Sequence, residues 1–136
     1  MAKGSEDKVR TFLDREWLRW TRDNGYDHKS KRHAFVAYVG REVVGYVDLA
    51  IMGGCAHYGQ LIVSGSARHK GIGESLLRKA EDCAKANGCH LAYLDTHERN
   101  AAALRLYHKN GYEDIAVMPD NKFHFTWYIL AKRLRR

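Results

Sequence analysis

The stretch that decides the fold is Leu61-Ile62-Val63-Ser64-Gly65-Ser66-Ala67-Arg68-His69-Lys70-Gly71-Ile72-Gly73-Glu74-Ser75-Leu76-Leu77. Leu61 to Val63 close an apolar, β-branched run, and Ser64 to Gly73 are small, polar and marked by glycine. From there Leu76, Leu77, Ala80, Cys83 and Ala84 recur with helical period until Gly88. A strand runs into a loop, and the loop opens a helix. The first amides of a helix lack intrahelical partners and sit at the positive end of its dipole, while Gly71 and Gly73 let a ligand approach the backbone with no Cβ in the way. Arg68, His69 and Lys70 add positive charge. Such a junction suits a phosphate or pyrophosphate.

Spacing narrows the choice. A Walker loop needs Gly-x-x-x-x-Gly-Lys-Ser/Thr, and a dinucleotide loop needs a third glycine where Leu76 stands. The pattern present is Arg68-x-x-Gly71-x-Gly73, which resembles the acetyl-CoA pyrophosphate loop of the GCN5-related N-acetyltransferases, the GNAT family. Downstream, Asn100-Ala101-Ala102-Ala103-Leu104-Arg105-Leu106-Tyr107-His108-Lys109-Asn110-Gly111-Tyr112 is similar to the family's second signature, Asn-x-x-Ala-x-x-x-Tyr-x-x-x-Gly-Phe/Tyr. The resemblance runs from about Ala34 to the C-terminus. It departs from the family in Val63-Ser64-Gly65-Ser66-Ala67-Arg68, where many members carry Val-x-Pro-x-Tyr/Phe before the arginine. That change makes the loop less rigid but spares its backbone amides.

The resemblance implies an α/β fold with a central mixed β-sheet and flanking helices, and acetyl-CoA as acetyl donor. It implies that Arg68, His69, Lys70, Gly71, Ile72, Gly73, Glu74 and Ser75 surround the pyrophosphate. The pantetheine arm is then expected along the backbone of Leu61, Ile62 and Val63, facing a helix that carries Asn100, Ala103 and Tyr107. Tyr107 takes the part of the general acid that protonates the departing sulfur, and Asn100 is a pantetheine ligand or a helix cap. His57 falls where many members carry the glutamate that draws a proton from the amine. Histidine's ordinary pKa of ~6.5 suits that task. A slip of one residue turns this side chain to the other face, so Tyr58, Gln60, Asp48 and bulk water stay open as bases. Read without the resemblance, Asn100 is a good N-cap before three alanines, Tyr107 a core tyrosine, and Gly111 a helix C-cap.

Composition sets the remaining bounds. The 136 residues, 45% of them hydrophobic, suffice for one ordinary core, so a single domain over 1–136 is expected. Lysine and arginine number 23 against 16 acids, a net charge of +7 that favours an anionic ligand. Nucleic acid is disfavoured as a partner because no helix-turn-helix, RNP or zinc pattern is present. Many of the charges are dispersed, or gathered in the tail at Lys132, Arg133, Arg135 and Arg136. Cys55, Cys83 and Cys89 have neither disulfide-framework nor zinc spacing, and eight scattered histidines form no HExxH, so no metal is expected. With no apolar signal at Met1–Ser5 and no span of ~20 apolar residues, no membrane association is expected, and a cytoplasmic monomer or homodimer is.

In chain order, Val9, Phe12, Leu13, Trp17 and Trp20 predict an amphipathic helix over 6–23, its aromatic stripe in the core or lining a substrate pocket. Asn24-Gly25 stops it, and 26–33 reads as a loop that in the family frames the acceptor site. Strands are expected at 34–39, 43–51 and 55–63 as an antiparallel meander, then helix 71–87, strand 90–96, helix 101–109, and strands 112–118 and 123–131 around a turn at 118–122. Strands 56–63 and 90–96 are joined by a right-handed crossover and so are expected to be parallel neighbours or near neighbours, which in the family splay apart. Together these features predict an acetyl-CoA-dependent N-acetyltransferase acting on an amine by direct transfer in a ternary complex. The alternative is a catalytically silent CoA-binding or interaction module of the same fold.

Overall fold

A computed structural model describes residues 4–27 and 29–135, so expectations placed on Met1 to Lys3, on His28 in the first loop and on Arg136 in the tail lie outside it. The elements are α1 (Glu6–Asn24), β1 (Lys31–Val39), β2 (Glu42–Met52), β3 (Cys55–Val63), α2 (Ile72–Ala86), β4 (Leu91–His97), α3 (Ala101–Lys109), β5 (Glu113–Met118) and β6 (Trp127–Arg133). The strands form one mixed six-stranded sheet in the order β1-β2-β3-β4-β6-β5. β1 to β3 are the antiparallel meander, and β3 and β4 are the parallel neighbours that the crossover through α2 requires.

Two boundaries differ from expectation by three residues or more. β1 begins at Lys31 rather than Ala34, because Lys31, Arg32 and His33 already pair with Ile51, Ala50 and Leu49. The last strand begins at Trp127 rather than at residue 123. Phe123 and His124 stand at φ 62° and 59°, a left-handed conformation foreign to a strand, and the Trp127 indole donates to the Lys122 carbonyl across the turn.

The core lies on one face of the sheet. Val47, Leu49 and Ile51 of β2, Ala56 and Tyr58 of β3, Ala92 and Leu94 of β4 and Leu130 of β6 point to that face and bury Leu76, Leu77, Ala80 and Ala84 of α2. α3 packs on the same face, and a Cβ added at Gly73 of α2 would lie 3.4 Å from Leu106. Among the described residues no such cover lies on the other face, and Val36, Ile62 and Ile129 remain exposed on it.

The opening helix corrects an expectation. No residue of α1 is buried, and Phe12, Trp17 and Trp20 are 52%, 44% and 48% exposed. Its amphipathic stripe is real, but α2 and α3 already fill the core face. The stripe instead turns toward its own C-terminal loop, where Trp20 donates to the Tyr26 hydroxyl beside Leu13 and Trp17.

A buried polar chain ties the layers together. The Tyr112 hydroxyl, just after α3, lies 2.8 Å from Glu81 of α2 and 2.9 Å from the Tyr58 hydroxyl of β3, and Lys132 of β6 reaches both Glu81 oxygens at 3.0 and 3.1 Å. Removing one partner of a buried pair leaves the other charge uncompensated. Lys132→Met is therefore expected to lower stability by ~2–3 kcal/mol, and adding Glu81→Gln should recover part of that loss. Urea midpoints of the single and double variants check both.

Candidate active site

The site begins where the two parallel strands part. β3 and β4 share three residue pairs, Cys55 with Leu91, Ala56 with Ala92 and His57 with Tyr93. Beyond His57, the stretch Tyr58 to Val63 pairs with β2 alone, leaving backbone groups on its β4 side free for a ligand. A bulge drives the divergence. Gly59 and Gln60 together oppose Asp48, whose carboxylate accepts from the Gln60 amide at 2.9 Å and from the Tyr46 hydroxyl at 3.0 Å. A Cβ added at Gly59 would stand 2.5 Å from the Asp48 carboxylate, so any larger residue there displaces the group that holds the bulge.

The bulge also decides which way each β3 side chain faces. Tyr58, Leu61 and Val63 face the helices, while His57 and Ile62 face the uncovered side. Of the bases left open by the sequence, Asp48 is occupied by its two donors and Tyr58 is bonded within the core. His57 is 41% exposed at the vertex of the gap, with its Nε2 3.6 Å from the Asp95 carboxylate and its ring 4.9 Å from that of Tyr93.

At the open end of the gap, Ser64 to Gly71 wrap into the N-terminus of α2. His69 and Gly71 both have left-handed backbones, at φ 64° and 79°, and a Cβ added at Gly71 would meet nothing within 4 Å. Left-handed residues beside a helix start turn successive amides toward one concavity that favours an anion. The Arg68 guanidinium donates to the Val63 carbonyl at 3.4 Å, which ties the loop back to β3. Lys70 is exposed, Ile72 packs toward Gly45, and Ser75 continues the helix by donating its amide to Gly71. The Glu74 carboxylate faces Lys109 of α3 at 3.2 Å and Arg78 at 3.8 Å, which offsets its charge beside the amides.

α3 faces the gap from the helix side. Asn100 is its N-cap, the side chain accepting from the Ala103 amide at 3.4 Å, and Gly111 follows its end at φ 91°. Ala103 packs against the core. Tyr107 is buried against Tyr112, and its hydroxyl has no hydrogen-bonded partner among the described residues. Burial pushes its pKa up to about 12, so the hydroxyl keeps its proton at neutral pH. It lies close enough to Tyr58 for ionisation of either to disfavour that of the other.

Asp95, Tyr93 and Trp127 were not singled out by sequence. The signal available was strand alternation, which puts Tyr93 and Asp95 on one face of β4. Which residues meet them there depends on the partner strands.

This arrangement, a mixed sheet splayed at its parallel pair with a helix start suited to an anion at the mouth, is the fold seen in solved acetyltransferases. The model of the acetyltransferase (GNAT) family matches residues 5–112, and the chain belongs to that family. A spermidine N(1)-acetyltransferase of Thermoplasma acidophilum is 30% identical over 77 residues, 57% of this chain and 48% of the relative. The chain thus matches about half the length of that curated relative. The crystal structure of an acetyltransferase from Bacillus cereus superposes with a TM-score of 0.81 at 23% identity, covering 98% of this chain and 96% of that one. The PaiA N-acetyltransferase of Thermoplasma acidophilum, solved in complex with coenzyme A, gives a TM-score of 0.65 at 21% identity over 96% and 80% of the two chains. No described helix is long and apolar enough to cross a membrane.

Burial raises the pKa of Tyr58, Tyr107 and Tyr112 alike above the tyrosine value of 10.0. A proton held more tightly in the folded state than in the unfolded one stabilises the fold below the unfolded pKa, and that stabilisation is lost as pH rises through the folded pKa. Stability should therefore fall above pH ~10, by up to ~1.4 kcal/mol per pH unit for each tyrosine. Tyr107→Phe should reduce that slope, as urea midpoints at pH 9 and 11 will show.

Proposed function

We propose that the chain is an acetyl-CoA-dependent N-acetyltransferase that transfers acetyl directly to a primary amine within a ternary complex. The observation that carries this reading is the gap between β3 and β4, with a protonated Tyr107, its hydroxyl without a hydrogen-bonded partner among the described residues, on the helix side and His57 on the other. The donor set fits coenzyme A. Amides at the start of α2, with Arg68 and Lys70, suit its pyrophosphate, and the unpaired edge of Leu61, Ile62 and Val63 suits the amide groups of its pantetheine arm. Coenzyme A is the ligand in the PaiA structure. Asn100 caps α3 through its side-chain oxygen and so fixes the helix that carries Tyr107, while its side-chain NH2 remains a donor for the arm.

In the reaction His57 takes a proton from the ammonium of the acceptor and passes it to solvent. The nitrogen lone pair forms the new C–N bond, and the C–S bond breaks with its electron pair on sulfur. Tyr107 protonates that sulfur and recovers a proton from the acylated nitrogen. Of the three ammonium protons, one reaches solvent, one balances the thiol and one stays on the amide. Holding both reactants at the vertex supplies the proximity that direct transfer requires.

Two outcomes test this reading. Gly71→Val places a branched side chain on a left-handed residue at the anion site, so CoA affinity should fall at least ~10-fold while circular dichroism shows a folded protein. Unchanged affinity would remove the loop from cofactor binding. Tyr107→Phe should keep CoA affinity and lower the single-turnover rate of acetyl transfer by ~10²-fold. A wild-type rate would leave Tyr107 as a core tyrosine.

A further inference from the structure

The uncovered face of the sheet holds a cleft of about 340 Å³ against the vertex of the gap. His57, Tyr93 and Asp95 form the end nearest the gap, and Trp127, Ile129 and Met118 form the far wall. Strand alternation accounts for the grouping. Asp95 pairs with Ile129 and Met118 with Trp127, so these side chains rise from the same face as His57 and Tyr93. The cleft is thus apolar and partly aromatic, with its titratable groups at the gap end and one neutral polar residue, Asn121, at the other.

Asp95 is the one carboxylate among the described lining residues. It stands 3.6 Å from the His57 imidazole and is 44% exposed, open to a ligand as well as to the histidine. A cation entering the cleft meets its counter-charge at the gap, where Asp95 stands, and no other carboxylate among the described lining residues. A second cation against Trp127 would meet the Lys122 ammonium, which already lies 4.9 Å from the centre of that ring, with no lining carboxylate to offset the repulsion.

From this arrangement we infer the acceptor class, an inference that rests on the acetyltransfer reading above. The cleft takes a monoamine whose single ammonium is carried on an apolar alkyl or aryl body, and Asp95 binds that ammonium and delivers it to His57. The body lies along Trp127, Ile129 and Met118, where burial of apolar area contributes affinity and the aromatic wall accepts a ring. A polyamine is disfavoured because its distal charges find no partner. Tyr107 and the glycine loop, on the other side of the sheet, take no part in this selection.

Steady-state acetyl transfer with 2-phenylethylamine, hexylamine and spermidine tests the inference. The wild type should show the highest kcat/KM on the two monoamines. Asp95→Asn should raise KM for 2-phenylethylamine about 10-fold with CoA affinity unchanged, and Asp95→Glu should restore part of it. Met118→Glu adds a carboxylate to the far wall. It should move the spermidine to hexylamine ratio of kcat/KM upward by about 5-fold, a gain that general loosening of the fold would not produce. Spermidine turned over as well as the monoamines by the wild type, or an unchanged KM in Asp95→Asn, would overturn the acceptor class while leaving acetyl transfer intact. Failure of the wild type to acetylate any amine would instead overturn the acetyltransfer reading itself, and this inference with it.

Discussion

The architecture depends on one side chain laid across a backbone defect. Asp48 fills the space over Gly59 and takes the Gln60 amide, so the bulge in β3 is held by a charge-assisted hydrogen bond instead of being left as an unsatisfied donor. That bulge bends β3 away from β4 and leaves a stretch of strand edge unpaired inside the molecule. An unpaired edge in a sheet interior is costly unless a ligand or water completes it. It also sets the phase of β3, so that Tyr58 enters the core and His57 does not.

The helix side of the gap is correspondingly rigid. Tyr58, Tyr112, Glu81 and Lys132 link β3, α2, the end of α3 and β6 through short hydrogen bonds, and Glu74 with Lys109 joins the start of α2 to α3. The two helices that flank the gap are thereby held to each other and to the strands on either side. Tyr107 is placed by this frame, because α3 is capped at Asn100 and its far end is anchored through Tyr112.

Much of this was legible in the sequence. Gly71, Gly73 and the stripe from Leu76 to Ala84 mark the loop and its helix, and Asn100 to Tyr112 mark α3, because glycine placement and helical period are local properties. The crossover through α2 made β3 and β4 parallel neighbours. The failures are non-local. The stripe on α1 shows an apolar face but cannot name what it packs on, and none of its residues is buried. The aromatics after Asn121 read as strand, whereas the left-handed Phe123 and His124 make a turn. His57 was ambiguous because its facing depends on a bulge that pairs residues of two strands. Asp95 drew no notice because its neighbours come from β3 and β6.

Alternation along the strands divides the sheet into two populations of residues. Those facing the helices carry the core and the buried polar chain, and a change there is felt throughout the fold. Those on the uncovered face, such as Ile62, Met118 and Ile129, are exposed and carry little of that packing. Substitutions on that face are consequently cheap in stability, and descendants of such a chain can drift in what they recognise there while the opposite side stays constant.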